Sequence, residues 1–106
     1  MNNYLGDLEE LVLIAVQVLD SEGYGVSISN KLNRAGRNIS ISATQATLAR
    51  LELKSYLSSK LGEPTAKPGG RRKKFYQITG AGRQALKKAE AVRAAIKINS
   101  PVNSNR

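Results

Sequence analysis

The chain has 106 residues, and its 17 Lys and Arg against 8 Asp and Glu give a formal net charge of +9; it contains no Cys, His or Trp. Those absences exclude disulfides, thiolate nucleophiles, Cys/His zinc sites and His-based acid–base or metal chemistry. The length fits one compact domain, and 41% hydrophobic residues furnish a small core.

The charge is one-sided. Residues 1–30 carry Asp7, Glu9, Glu10, Asp20 and Glu22 and no base, whereas residues 31–106 hold all 17 bases against Glu52, Glu63 and Glu90. A basic surface on a small domain points first to a polyanion, usually nucleic acid. The longest apolar run, residues 11–19, is too short for a bilayer and follows no basic segment, so no membrane span or secretory signal is expected. The expectation is a soluble cytoplasmic protein that needs no cofactor or metal.

In chain order, Asp7 with Glu10 three residues on reads as an N-cap and capping box. Leu8, Leu11, Val12, Ala15, Val18 and Leu19 then recur at helical spacing. Leu13, Ile14 and Val16 make this helix apolar nearly all round, so it needs cover on more than one side. A turn at 21–23 leads to a second helix over Tyr24 to Ala35, with Gly36 as the residue that ends it. Ser42 with Gln45 reads as another capping box, opening a third helix to about Lys54. Thr44, Leu48 and Leu51 form its inner stripe; Gln45, Ala46, Ala49, Arg50 and Leu53 fall opposite.

The period then changes from 3.6 to 2 at Leu57, Ser59 and Leu61, and again at Tyr76 and Ile78. Between these runs the Pro- and Gly-rich residues 62–74 predict a hairpin with a long basic tip. Thr79 caps a fourth helix from about Gly80 to Ile98, with Ala85, Ala89, Val92 and Ile96 on its apolar face. Residues 99–106 read as a disordered tail. The fold class is mainly α with a small β-hairpin (α+β). Its order is that of a winged helix-turn-helix over 1–79 followed by a C-terminal dimerisation helix over 80–98.

The third helix is the candidate recognition helix, because a major groove about 12 Å wide admits one helix by its outer N-terminal face. Ser42, Gln45, Ala46 and Arg50 lie there, with Lys54 following. Arg71, Arg72, Lys73 and Lys74, beside Gly69-Gly70, suit phosphate or minor-groove contact. Leu8, Leu11 and Val12 of the first helix, with Ala85, Ala89, Val92 and Ile96 of the fourth, are candidate dimer contacts. Gly23-Tyr24-Gly25 lacks the third glycine and preceding strand of a dinucleotide loop. Tyr24 and Tyr76 read as packing residues. The basic fourth helix has no aromatic anchor for a membrane surface.

Gly6-Asp7-Leu8, Tyr24-Gly25, Ile39-Ser40-Ile41, Ala46-Thr47-Leu48, Arg50-Leu51-Glu52 and Ser58-Ser59 occur in this order. Gly62-Glu63-Pro64-Thr65, Gly69-Gly70-Arg71-Arg72, Phe75-Tyr76 and Thr79-x-Ala81-Gly82-Arg83 complete the series. From Asp7 to Leu86 this pattern resembles the PadR-like family of bacterial winged-helix transcriptional regulators. The resemblance implies homodimers on palindromic double-stranded operators, often repressors released by a small effector, here of unknown identity. It also implies DNA contact through the third helix and wing, and dimerisation through the first and last helices. Gln45 stands where the family commonly has Tyr, Ser42 and Ser55 replace frequent glycines, and Gly80 replaces a frequent proline. Two other readings use the same basic surface: a nucleic-acid packing protein without sequence preference, and an adaptor that docks an acidic protein. No catalytic constellation is present in the sequence.

Overall fold

The computed structural model describes residues 5–63 and 72–98. In chain order they form α1 (Asp7–Leu19), α2 (Gly25–Arg34), α3 (Ile41–Leu53), β1 (Leu57–Leu61), β2 (Lys74–Ile78) and α4 (Gly80–Ile98), with a 3-10 turn at Asp20–Glu22. This is the mainly helical, hairpin-bearing order expected from the periodicities. The predicted wing tip, with Gly69, Gly70 and Arg71, and the predicted tail at 99–106 lie outside the described residues.

Two helix starts differ from the sequence reading. α1 is capped by Gly6, not Asp7, and Glu9 accepts from the Gly6 amide at 2.8 Å. Glu10 does not perform that task because its carboxylate faces Arg93, while Asp7, one residue inside the helix, pairs with Arg37 at 2.7 Å. α3 is capped by Ser40, whose Oγ accepts from the Ala43 amide at 3.0 Å, so the expected Ser42–Gln45 box does not form. The backbone turns into α3 two residues earlier than predicted, and both Ser42 and Gln45 are exposed on its outer side.

The helix ends follow backbone chemistry. Gly36 adopts φ 110° after α2, and the Arg37 amide donates to the Leu32 carbonyl across it. That pattern needs a left-handed residue, which glycine adopts without a Cβ clash. Ser55 performs the same task after α3 at φ 66°, with the Tyr56 amide donating to the Leu51 carbonyl. Between α2 and α3, Asn33 braces the turn from both sides: its Oδ1 accepts from the Ile39 amide at 2.7 Å and its Nδ2 donates to the Ile39 carbonyl at 3.0 Å. Those bonds fix the angle at which α3 leaves α2.

The core gathers Val12, Leu13, Ala15 and Val16 of α1, Ile28 and Leu32 of α2, Ile39, Leu48 and Leu51 around α3, and Leu57, Tyr76 and Leu86. Each fully buried aliphatic side chain contributes about 1.5–3 kcal/mol through removal from water. Thr44 and Thr47 are also fully buried, and their hydroxyls donate to the Ser40 and Ala43 carbonyls. Those bonds satisfy polar atoms that would otherwise carry a desolvation penalty.

β1 and β2 pair antiparallel with Leu57 opposite Ile78 and Ser59 opposite Tyr76. The other edge of β2 is occupied at its centre: the Tyr76 amide donates to the Gly23 carbonyl at 2.8 Å, and Tyr24 bridges to Phe75. The hairpin is thereby fastened to the start of α2. Thr79 caps α4 as expected, its Oγ1 accepting from Gly82 and donating to the Ser55 carbonyl. Gly82 packs so closely on the Tyr56 carbonyl that a Cβ would lie 2.2 Å from its oxygen.

Candidate nucleic-acid interface

Because Ser40 and not Ser42 caps α3, the first two turns of the helix present free small and polar groups. Ser42, Gln45, Ala46 and Ala49 are all exposed on one side, while Thr44, Thr47, Leu48 and Leu51 are buried on the other. Small side chains at Ser42, Ala46 and Ala49 allow the backbone close to a partner. A glutamine amide supplies the donor and acceptor that an adenine edge requires. The predicted outer face of the helix is thus assembled as a surface.

The basic residues at the far end of α3 do different work. Lys54 Nζ lies 2.9 and 3.1 Å from the two carboxylate oxygens of Glu9, and Arg50 Nε lies 3.7 Å from the same group. Arg50 also donates to Thr47 Oγ1 at 3.2 Å. Glu9 is buried, which by itself would raise its pKa; the Gly6 amide, Lys54 and Arg50 outweigh that cost and hold it below the usual carboxylate value. Lys54 therefore anchors α3 to α1, a role that its place in the sequence does not suggest. A carboxylate in the first turn of α1 was legible only as a capping group.

At the wing root, each described basic residue has its own seat. Arg72 Nε donates to the Gly62 carbonyl at 2.8 Å, and Lys73 Nζ stands 4.4 Å above the centre of the Tyr24 ring. Lys74 Nζ is 3.3 Å from Glu52, whose carboxylate also accepts from Ser59 Oγ and is held below its usual pKa mainly by that hydroxyl, with Lys74 adding to it. Among the described residues, Arg72 and Lys73 form no ion pair, so no described carboxylate neutralises their charge. Tyr24 meets Phe75 edge-on with ring centres 5.4 Å apart, so this residue joins the wing root to α2. Arg71 falls outside the described residues.

The candidate dimer residues divide. Val12 is fully buried in the core, packed within its own protomer, and so presents nothing to a second chain. Helix periodicity alone cannot tell which stripe of an all-round apolar helix faces inward. Leu8, Leu11, Ala85 and Ala89 are half-buried, whereas Val92 and Ile96 are 52% and 65% exposed. Val18, which recurs at helical spacing in α1, and Ile98 are exposed as well, although neither is among the candidate dimer contacts. Arg93 grips Glu10 through two hydrogen bonds of 3.0 and 3.1 Å, setting α4 against α1.

Among the described residues, no group of acidic side chains is arranged to hold a metal ion, and no helix is long and apolar enough to cross a membrane. A family model described as the transcriptional regulator PadR-like family matches residues 13–88. Among solved structures, a PadR-like transcription factor from Bacteroides fragilis is 27% identical, with a TM-score of 0.72 over 91% of this chain and 86% of that one. A protein from Streptococcus mutans is 29% identical, with a TM-score of 0.66 over 92% and 87%. A PadR family transcription regulator from Clostridium difficile, 23% identical, shares the fold with a TM-score of 0.70 over 93% and 100%. No curated protein matches the sequence.

Proposed function

The chain belongs to the PadR-like family of transcriptional regulators, and we propose that it is a homodimeric repressor that reads a palindromic DNA operator. The family is one of transcription regulators and not of enzymes. The observation that carries the finer reading is the exposed face of Ser42, Gln45, Ala46 and Ala49, flanked by a wing root whose Arg72 and Lys73 have no neutralising carboxylate among the described residues. Neutral groups on the helix suit discrimination between base edges, and uncompensated charge on the wing suits phosphate binding. Arg50 serves the backbone from the rim of the helix. Arg71 extends the basic wing, Lys74 contributes less because Glu52 holds it, and Lys54 serves α3 itself.

In a dimer built on α1 and α4, Leu8, Leu11, Ala85, Ala89, Val92 and Ile96 lie between protomers. Two copies of α3 then enter successive major grooves, with half-sites about 34 Å or a multiple of that apart. An effector that releases the operator is part of this reading, as is action in the cytoplasm. Selection of bound duplexes from a random DNA pool tests it. Enrichment of a palindrome supports the repressor. Binding without enrichment supports a packing protein instead, and absence of binding supports an adaptor.

A further inference from the structure

We infer that Gly25, the first residue of α2, is a positioning residue for base recognition: its bare Cα provides the seat in which the Gln45 amide rests. A Cβ at position 25 would lie 2.8 Å from Gln45 Nε2 and 3.3 Å from its Cδ. The first distance is below any normal contact, so the amide and a Cβ cannot share the space. Gln45 as a residue is nevertheless exposed, so its amide lies against Gly25 without being enclosed in the core. A long, flexible side chain is thereby given one preferred placement on the outer face of α3.

The glycine is not explained by backbone geometry. Gly36 is the described glycine with a positive φ, and Gly25 opens a regular helix whose cap, Tyr24, is extended. Alanine is at least as good as glycine in a helix. The group that a methyl would meet is the far end of a mobile side chain, which moves without disturbing the fold. Gly25→Ala therefore separates two roles: folding tolerates it, and the Gln45 amide leaves its seat. Pre-organised polar groups discriminate better than mobile ones because less freedom is lost on binding.

This inference rests on the reading of Gln45 as a base-contacting residue, and the experiment keeps the two apart. The ratio of affinities for the duplex recovered by selection and for a random duplex of equal length is measured for four proteins. These are the parent, Gly25→Ala, Gln45→Ala and the double variant. A well-placed amide on a base edge is worth roughly 5- to 150-fold in discrimination. Gln45→Ala is expected to lower the ratio within that range, Gly25→Ala to lower it to within about threefold of the same value, and the double variant to lose no more. The melting temperature stays close to the parent's in all four.

A second readout needs no DNA. The side-chain amide signals of Gln45, identified by their loss in Gln45→Ala, shift in Gly25→Ala if the seat is real. Loss of selectivity in Gln45→Ala but not in Gly25→Ala, or unmoved amide signals, overturns the positioning role alone. An unchanged ratio in Gln45→Ala overturns base reading by Gln45 and the inference with it. If Gly25→Ala melts early, the double variant decides: it has no amide to displace, so recovery of the melting temperature locates the clash at Gln45, and no recovery refutes it.

Discussion

Lys54 at the end of α3 and Glu9 in the first turn of α1 meet through two hydrogen bonds of 2.9 and 3.1 Å, although 45 residues separate them. The next residue of α1, Glu10, holds Arg93 of α4 in the same two-pronged way. Two successive carboxylates on one helix thus fasten the candidate recognition helix and the candidate dimerisation helix. The acidic N-terminal segment is more than an inert counterpart of a basic domain, because these two elements are aligned on it. It also neutralises part of the positive charge: Arg37, Lys54 and Arg93 each answer a carboxylate of α1.

The Glu9 clamp predicts a pH-dependent stability. Its folded pKa lies below the ordinary value of 4.5, so the ionised form is favoured by folding. That stabilisation is fully present above the unfolded pKa and is lost as pH falls through the lower folded value. Glu9→Gln should cost about 1.5–3 kcal/mol at pH 7, the usual worth of hydrogen bonds to a charged group. Denaturant titrations of both proteins should show the gap closing as pH falls below the ordinary carboxylate range. A gap that stays constant across that window contradicts the clamp.

The two apolar sets on α1 and α4 make opposite predictions. Val12→Ala removes a fully buried side chain and should cost about 1–3 kcal/mol of folding stability. Val92→Glu with Ile96→Glu alters side chains that are already exposed in the protomer, so its helicity should survive. If these residues lie between protomers, the same pair of charges should raise the dimer dissociation constant by about a hundredfold or more. Sedimentation at micromolar concentration distinguishes the outcomes. A dimer unaffected by the double substitution places the interface elsewhere.

The wing prediction turns on which charges are already answered. Arg72→Ala with Lys73→Ala should weaken binding to operator and random duplex alike. It should also flatten the salt dependence, reducing the log–log slope by roughly 0.9 for each phosphate no longer neutralised. Lys74→Ala, whose amine rests 3.3 Å from Glu52, should alter the salt slope much less. Titrations at several ionic strengths measure both. Equal effects of the two changes argue against a distinction between free and paired wing charges.

Element order and most of the core were legible in the sequence because periodicity reports directly on which side of an element is buried. Thr44, Leu48 and Leu51 are fully buried, and Thr79 caps α4, as their spacing implies. Helix starts were less legible, since Asp7, Ser40 and Ser42 are all chemically able to cap and local pattern does not rank them. The choice falls to tertiary partners: Arg37 takes Asp7, and Arg93 takes Glu10. The same limit applies to the site. Spacing identifies Gln45 as outward, but not that Gly25, distant in sequence, lies beneath its amide. Nor does it reveal that Lys54 is engaged by Glu9.

Ser55 supplies the last prediction. It stands at φ 66° where the chain reverses after α3, a conformation that costs a residue with a Cβ about 1 kcal/mol or more. Its carbonyl accepts from Thr79 Oγ1 at 2.7 Å, and that bond uses only backbone atoms of residue 55. Ser55→Gly therefore keeps the link between α3 and α4 and removes the steric penalty. The greater freedom of glycine in the unfolded chain offsets part of the gain. A net stabilisation of about 0.5–1 kcal/mol is expected, which for a domain of this size raises Tm by roughly 2–8 °C. Ser55→Ala, which retains the Cβ, should leave Tm close to the parent's. Scanning calorimetry of the two variants decides the point: a lower Tm for Ser55→Gly would show that the serine side chain stabilises this turn by more than its backbone conformation costs.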